Sequence, residues 1–270
     1  MKIAFIGGGN MAAALIGGLV KRGTAAADLY AIDVDAQARE RLETQFNIKT
    51  AASVDDTLRA YDAIVIAVKP QVMKEVATGL AAHLSTQLVV SIAAGIRGTD
   101  IARWLGGYTR IVRAMPNTPA LIGMGVTGLV ALQGVDEAGR ALATGVLGAV
   151  GETVWFDDET KIDAVTAISG SGPAYVFYFI EALQEAARRL GLSDDQGRAL
   201  ALATFAGAAQ LATQSDEPAS VLRERVTSKG GTTAAALASF DKEKIKDAIV
   251  AGVLAADARA KEMGDELGKL

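Results

Sequence analysis

Four apolar residues, Ile3-Ala4-Phe5-Ile6, run directly into Gly7-Gly8-Gly9-Asn10-Met11-Ala12. A short apolar run reads as a buried strand, and the amphipathic stretch from Asn10 to Lys21 reads as a helix. A G-x-G-x-x-A pattern between a strand and a helix constrains the fold more than any other feature of the chain. The first glycine permits a tight turn, the second lets backbone approach a pyrophosphate, and the small third residue packs helix against strand. Unpaired N–H groups at the helix start then face the phosphates. Gly7, Gly8, Gly9, Asn10 and Met11 are therefore candidates for binding a dinucleotide.

The alternation continues. Lys2–Ile6, Leu29–Asp33, Asp62–Val68, Gln87–Ile92 and Arg110–Ala114 read as strands. Asn10–Lys21, Ala36–Phe46, Gln71–Leu84 and Thr99–Leu105 read as the helices between them. Strands alternating with helices imply a doubly wound, mostly parallel sheet covered on both faces, an α/β domain of the Rossmann type. Val126–Leu132 and Glu152–Phe156 extend that sheet, with a helix over 136–150 between them. Strands ending together put Ala67-Val68-Lys69-Pro70 and Ala93-Ala94-Gly95 on the cofactor-facing edge with the glycines. Asp33 ends the second strand, where a carboxylate takes the ribose hydroxyls of NADH and repels the 2′-phosphate of NADPH. A cap for the helix from Ala36 is the alternative role. Val34 and Asp35 follow, and the first basic residue is Arg39, so NADH is expected to be preferred over NADPH.

After Asp158 no strand is predicted, which places a boundary there: residues 1–158 for the dinucleotide domain, 159–270 for an all-α domain. Pro173 opens a helix to about Leu190. Ser193 and Gln196 form a capping box for a helix through Thr213. Pro218 and Thr232 open further helices, and Asp241 is expected to cap the last one, through Leu267. Ala174–Leu183 and Ala199–Leu211 are apolar nearly all round, and such helices must be covered on every side. So short a helical domain cannot cover both, so a second chain is expected to.

Composition narrows the function. Acidic and basic residues are interleaved at a formal net charge of -4, with no basic tract for nucleic acid or an anionic membrane. The chain has no cysteine and one histidine, which leaves no thiolate site and no zinc site built on histidine. No run approaches the length of a membrane span, and the N-terminus lacks a signal-peptide pattern, so a cytoplasmic location is expected. His83 reads as a solvated histidine, and Glu181 as a buried carboxylate in a structural hydrogen bond, with a proton donor as the alternative.

Five further strings occur in order: Ala67-Val68-Lys69-Pro70, Ser91-Ile92-Ala93-Ala94-Gly95, Met115-Pro116-Asn117-Thr118-Pro119, Ser169-Gly170-Ser171-Gly172-Pro173-Ala174-Tyr175, and Thr227-Ser228-Lys229-Gly230-Gly231-Thr232-Thr233. With the fingerprint in front, they resemble the pyrroline-5-carboxylate reductases across essentially the whole chain. The resemblance implies NADPH- or NADH-dependent reduction of 1-pyrroline-5-carboxylate to L-proline, a helical dimerisation domain forming a homodimer, and assembly into a larger ring of dimers. It departs at Lys229, where many relatives carry proline, and after Asp33, where many carry arginine. Met115, Pro116 and Asn117 follow a core strand, where a parallel sheet presents its ligand crevice, and are read as lining the nicotinamide; a rigid turn is the alternative. The segment from Ser228 leads into a helix whose first N–H groups, from Gly230 and Gly231 to Thr232 and Thr233, suit the substrate carboxylate. The resemblance places Thr233 at the ring nitrogen, as the catalytic residue. A helix cap is the alternative for either threonine. The rival functions are a β-hydroxyacid dehydrogenase and a non-catalytic dinucleotide-sensing module. The helix from Ala174 to Leu190 lacks the lysine that the first requires, and the second leaves Met115–Pro119 and Ser228–Thr233 without a role.

Overall fold

A computed structural model describes residues 1–269. The chain forms two compact units, Met1–Ser171 with Ala256–Leu270, and Gly172–Ala255. The expected boundary at 158 falls inside the first unit.

The first unit is built on one eight-stranded sheet. Its strands are β1 (Ile3–Ile6), β2 (Leu29–Ile32), β3 (Lys49–Ala51), β4 (Ala63–Ile66), β5 (Leu88–Ser91), β6 (Ile111–Met115), β7 (Gly125–Ala131) and β8 (Gly151–Phe156). Their order is β3-β2-β1-β4-β5-β6-β7-β8. Every neighbouring pair is parallel except β6 and β7. Strands β6 and β7 are joined without a crossover helix, and a short connection of that kind returns the chain antiparallel. The helices are α1 (Asn10–Lys21), α2 (Ala36–Phe46), α3 (Met73–Leu80), α4 (Gly98–Trp104), α5 (Glu137–Leu147) and α6 (Lys161–Val165).

Successive residues of a strand point to opposite faces, and here both faces are buried. Ile3, Phe5, Leu29, Ala31 and Val65 pack with Leu15, Ile16 and Leu19 of α1 and with Ala143 and Val146 of α5. Ala4, Ile6, Tyr30, Ile64 and Ile66 pack on the other face with Met73 and Leu80 of α3 and Trp104 of α4. Strand β3 was not foreseen. It is a three-residue edge strand, Lys-Thr-Ala, too short and polar to stand out against its surroundings.

Local signals set the helix ends. The Asp35 carboxylate accepts from Gln37 N and Asp136 from Gly139 N, both as N-caps. Asn47 ends α2 in the left-handed region, at φ 54°.

The second unit contains helices α7 (Gly172–Arg189), α8 (Asp194–Thr213), α9 (Ala219–Arg225) and α10 (Thr232–Lys242); α11 (Ile245–Leu267) begins there and ends in the first unit. The Ser193–Gln196 capping box forms as expected. Asp241 does not cap the last helix: it lies inside α10, and the break comes at Lys244, at φ 52°. Helices α7 and α8 pack together. Within the second unit of one chain, only Ile180, Ala187, Gly197 and Ala201 are buried. Phe177, Tyr178 (73% exposed), Leu200, Leu211, Val250 and Leu254 (62%) stand open. Glu181, expected to be buried, is exposed in the single chain.

Candidate active site

One row of paired residues crosses the sheet: Ile32, Ile6, Ile66, Ser91 and Arg113. The residues after this row therefore share one edge, and Gly7, Asp33, Ala67, Ala93 and Met115 all follow it. Backbone bonds hold the edge, from Gly7 N to Ile32 O (2.7 Å) and from Ala67 N to Ile6 O (2.7 Å).

The glycine loop meets the requirements of a dinucleotide. Gly7 sits at φ +99°, and a Cβ there would lie 2.6 Å from Ala67 O, so only glycine fits. Gly9 is different: a Cβ there would have nothing within 4 Å. Its openness is the kind a pyrophosphate needs. Gly9 also caps α1 without any side-chain bond, so the first N–H groups of the helix keep no side-chain partner. Gly8, Gly9, Asn10 and Asp33 line a cleft of about 510 Å³ with Asp35 and Arg41. These features fit the phosphates and ribose of a nicotinamide dinucleotide.

Asp33 stands at the expected place, with both its oxygens engaged. Oδ2 accepts from Gly8 N (2.5 Å) and Oδ1 from Asp35 N (2.8 Å). The helix-cap alternative falls to Asp35. Arg39 Nη1 donates to Asp33 O (2.7 Å) and Val34 O (3.1 Å), and Arg41 Nη2 donates to Gly8 O (2.7 Å). Sequence reasoning gave Arg39 only a remote place and missed Arg41. No local pattern marks a helix residue that reaches back to a loop far away in sequence.

The other expected residues divide. Lys69 is exposed and Pro70 opens a short 3₁₀ turn, while Val68 packs near Gly7. Gly95 is a left-handed turn (φ +70°) facing Met263 and Leu267 of α11. Pro116 and Asn117 are buried. The Asn117 amide donates to Ser169 O (3.2 Å) and its oxygen accepts from Val126 N (3.0 Å), so this side chain ties the end of β6 to β7 and to the turn that holds Ser169. Ser169 belongs to a π-helical turn over Thr166–Gly170, a geometry frequent at functional sites. The turn lies on Met115: a Cβ on Gly170 would lie 2.6 Å from Met115 Cε, the end of a flexible side chain.

Behind this edge is a buried ion cluster that the sequence did not reveal. Arg113 of β6, 2% exposed, donates to Glu159 Oε1 (3.3 Å) and Asp163 Oδ1 (3.1 Å). Glu159 Oε1 also accepts from Gly98 N, at the start of α4.

In the second unit, Gly230 turns at φ +72° and Gly231 N donates to Ser228 O (3.0 Å). A Cβ on Gly231 would collide with Ser228 Oγ. Gly231 is the N-cap of α10 and makes no side-chain bond. Thr232 and Thr233 are thus the first two helical residues, and neither is the cap. Thr232 is exposed and Thr233 half-buried. The result is a second helix N-terminus without a side-chain cap, flanked by hydroxyls and suited to an anion.

Other groups stay outside these sites. His83 is not simply solvated: its Nδ1 lies 3.0 Å from Asp56 Oδ1. Hydrogen bonds from Arg59 and then His83 hold the Asp56 carboxyl below the usual carboxylate range. Among the described residues no cluster of His, Cys, Asp and Glu is arranged to hold a metal, and no helix is long and apolar enough to cross a membrane.

Comparison with known proteins agrees with this geometry. Residues 159–263 match the family described as pyrroline-5-carboxylate reductase dimerisation, and residues 2–95 match NADP oxidoreductase coenzyme F420-dependent. The pyrroline-5-carboxylate reductase of Pseudomonas aeruginosa is 45% identical over 99% of this chain and 98% of its own. That of Haemophilus influenzae is 43% identical over 97% of each. A solved pyrroline-5-carboxylate reductase from Coxiella burnetii matches with a TM-score of 0.91 at 38% identity, over 97% of this chain and 98% of that one. The Plasmodium falciparum pyrroline carboxylate reductase, solved with NADP bound, matches at 0.85 and 30%, over 98% of each chain. Identity at this level along the full length, on a fold whose glycine loop and uncapped helices stand where the motifs put them, makes this chain a member of the pyrroline-5-carboxylate reductase family.

Proposed function

We propose that this chain reduces 1-pyrroline-5-carboxylate to L-proline with NAD(P)H. The observation that carries the reading is the uncapped N-terminus of α10, with Thr232 and Thr233 on its first turn, in a chain that also holds a dinucleotide loop. A dinucleotide-sensing module has no use for the first of these.

Bound NAD(P)H supplies a hydride to the imine carbon; the protein supplies position and charge. Gly7, Gly8, Gly9, Asn10 and Met11 hold the phosphates, and Asp33 faces the ribose. Ala67–Pro70, Ala93–Gly95 and Met115–Asn117 form the edge along which the rest of the cofactor lies. Ser228, Gly230, Gly231 and Thr232 hold the substrate carboxylate on the N–H groups of α10. Thr233 hydrogen-bonds the ring nitrogen, keeping the protonated imine, the better hydride acceptor, in place. No side chain need act as a strong acid, which suits a chain with a single distant histidine.

In a spectrophotometric assay with pyrroline-5-carboxylate, the wild type is expected to consume NAD(P)H. Thr233→Ala is expected to lose about one to two decades in kcat/KM, the equivalent of about 1.5–3 kcal/mol for a hydrogen bond to a charged group. Cofactor affinity should be nearly unchanged. Equal efficiency in variant and wild type would remove Thr233 from the site.

The working form is a homodimer through the helical unit, assembled further into a ring of dimers and acting in the cytoplasm. Exposed apolar residues on α7, α8 and α11 support the dimer, because a unit that buries so little cannot hold its own fold. Analytical ultracentrifugation at micromolar concentration is expected to show a dimer or larger. A fully active monomer would overturn this.

A further inference from the structure

The ribose end of the cofactor cleft carries charges that the glycine fingerprint does not require. Asp33 and Asp35 line it, and Arg41 is the one cation on its lining among the described residues. Both carboxylates are already committed. Asp33 accepts from Gly8 N and Asp35 N, and Asp35 accepts from Gln37 N at 2.9 Å. Each bond fixes a backbone segment and disperses the carboxylate charge. Arg39 adds a cation at the end of β2, bonded to the carbonyls of Asp33 and Val34. The expectation of NADH preference set Arg39 a helical turn away and did not count Arg41. The fold places two arginines beside it.

Arg41 is the better placed of the two, since it alone lines the cleft. It extends from α2 to Gly8 O, which occupies one of the five N–H donors of its guanidinium. The planar fork that remains matches a phosphate dianion. Val34, 88% exposed, follows Asp33 after β2 and offers no charge.

Building on the NAD(P)H reading above, we propose that Arg41 recognises the 2′-phosphate of NADPH and sets the choice between NADPH and NADH. Its place on α2 substitutes for a basic residue immediately after the strand. NADPH is then admitted despite Asp33, and the discrimination weakens with salt because Arg41 is solvent-exposed.

The test is a fluorescence titration of NADPH and NADH against the full-length wild type, Arg41→Gln and Arg41→Lys, at low and at high salt. Arg41→Gln is expected to weaken NADPH by about tenfold or more at low salt and NADH by no more than about twofold, with Arg41→Lys between. High salt should shrink the difference. Equal weakening of both cofactors would place Arg41 on the pyrophosphate or on Gly8 alone and overturn the assignment, as would no weakening of either. A wild type that bound neither dinucleotide would overturn the NAD(P)H reading itself, and this assignment with it.

Discussion

Arg113→Ala is expected to destabilise the protein by about 3–5 kcal/mol, the cost typical of breaking a buried ion pair from one side. Arg113 is buried in β6, and two carboxylates, Glu159 and Asp163, converge on its guanidinium. Removing it takes the direct ion-pair partner from both carboxylates, leaving Asp163 only the more distant charges of Arg97 and Lys261, and opens a cavity. Glu159 keeps its bond from Gly98 N and is partly exposed, so Asp163 bears most of the penalty. Arg113→Lys should lose less, since an ammonium keeps the charge but cannot present two parallel donors to two acceptors. Urea denaturation at one fixed protein concentration would measure both, because an oligomer's stability depends on concentration. A loss under about 1 kcal/mol for the alanine variant would mean that the cluster contributes little. The cluster joins β6 to α4 and α6, and Met115 to Asn117 leave from the end of that strand. Lower activity in the variant should therefore accompany the loss of stability.

Gly7→Ala and Gly9→Ala are expected to separate folding from binding. At Gly7 an alanine must adopt φ +99°, which costs about 1–2 kcal/mol, and its Cβ meets the backbone of Ala67 at 2.6 Å. Backbone held at the ends of two central strands by bonds such as Gly7 N to Ile32 O and Ala67 N to Ile6 O cannot move aside cheaply, and overpacking of this kind adds about 1–3 kcal/mol. Gly9 has φ -69° and open space where a Cβ would go. Gly9→Ala should therefore fold within about 0.5 kcal/mol of the wild type, as surface substitutions do. If the pyrophosphate lies on the glycine loop as proposed, the same methyl group meets it, and NAD(P)H affinity should fall by more than about tenfold, or about 1.4 kcal/mol. Thermal unfolding without cofactor, paired with cofactor titration, reads the two effects separately. If Gly9→Ala bound NAD(P)H like the wild type, the pyrophosphate would have to lie elsewhere.

Much of the first unit was legible because its signals are local. A strand buried on both faces is a short apolar run, so Ile3–Ile6, Ala63–Ile66 and Leu88–Ser91 stand out. The glycine fingerprint, the capping box at Ser193 and the proline opening α7 depend on neighbouring residues. Each of these can be read from a few adjacent letters. The over-apolar helices were visible too, and their exposure in a single chain has the physical reason already given: too few residues to cover them.

What the letters did not carry depends on distance in space. Arg113 looked like one more residue of a strand, and only folding brings residues 159 and 163 against it. For residues 232 and 233 a helix cap was the alternative to a substrate role, and only the turn at Gly230 shows that the cap is Gly231. Asp33 by itself argued for NADH, but its surroundings also include Arg39 and Arg41, which α2 brings back to the end of β2 and to Gly8. The sequence alone determined the class of fold, the motifs and the family they point to, because periodicity, glycine and proline act within a few residues. Tertiary structure decided which charges meet, since electrostatic partners are set by proximity in three dimensions and leave no period in the chain.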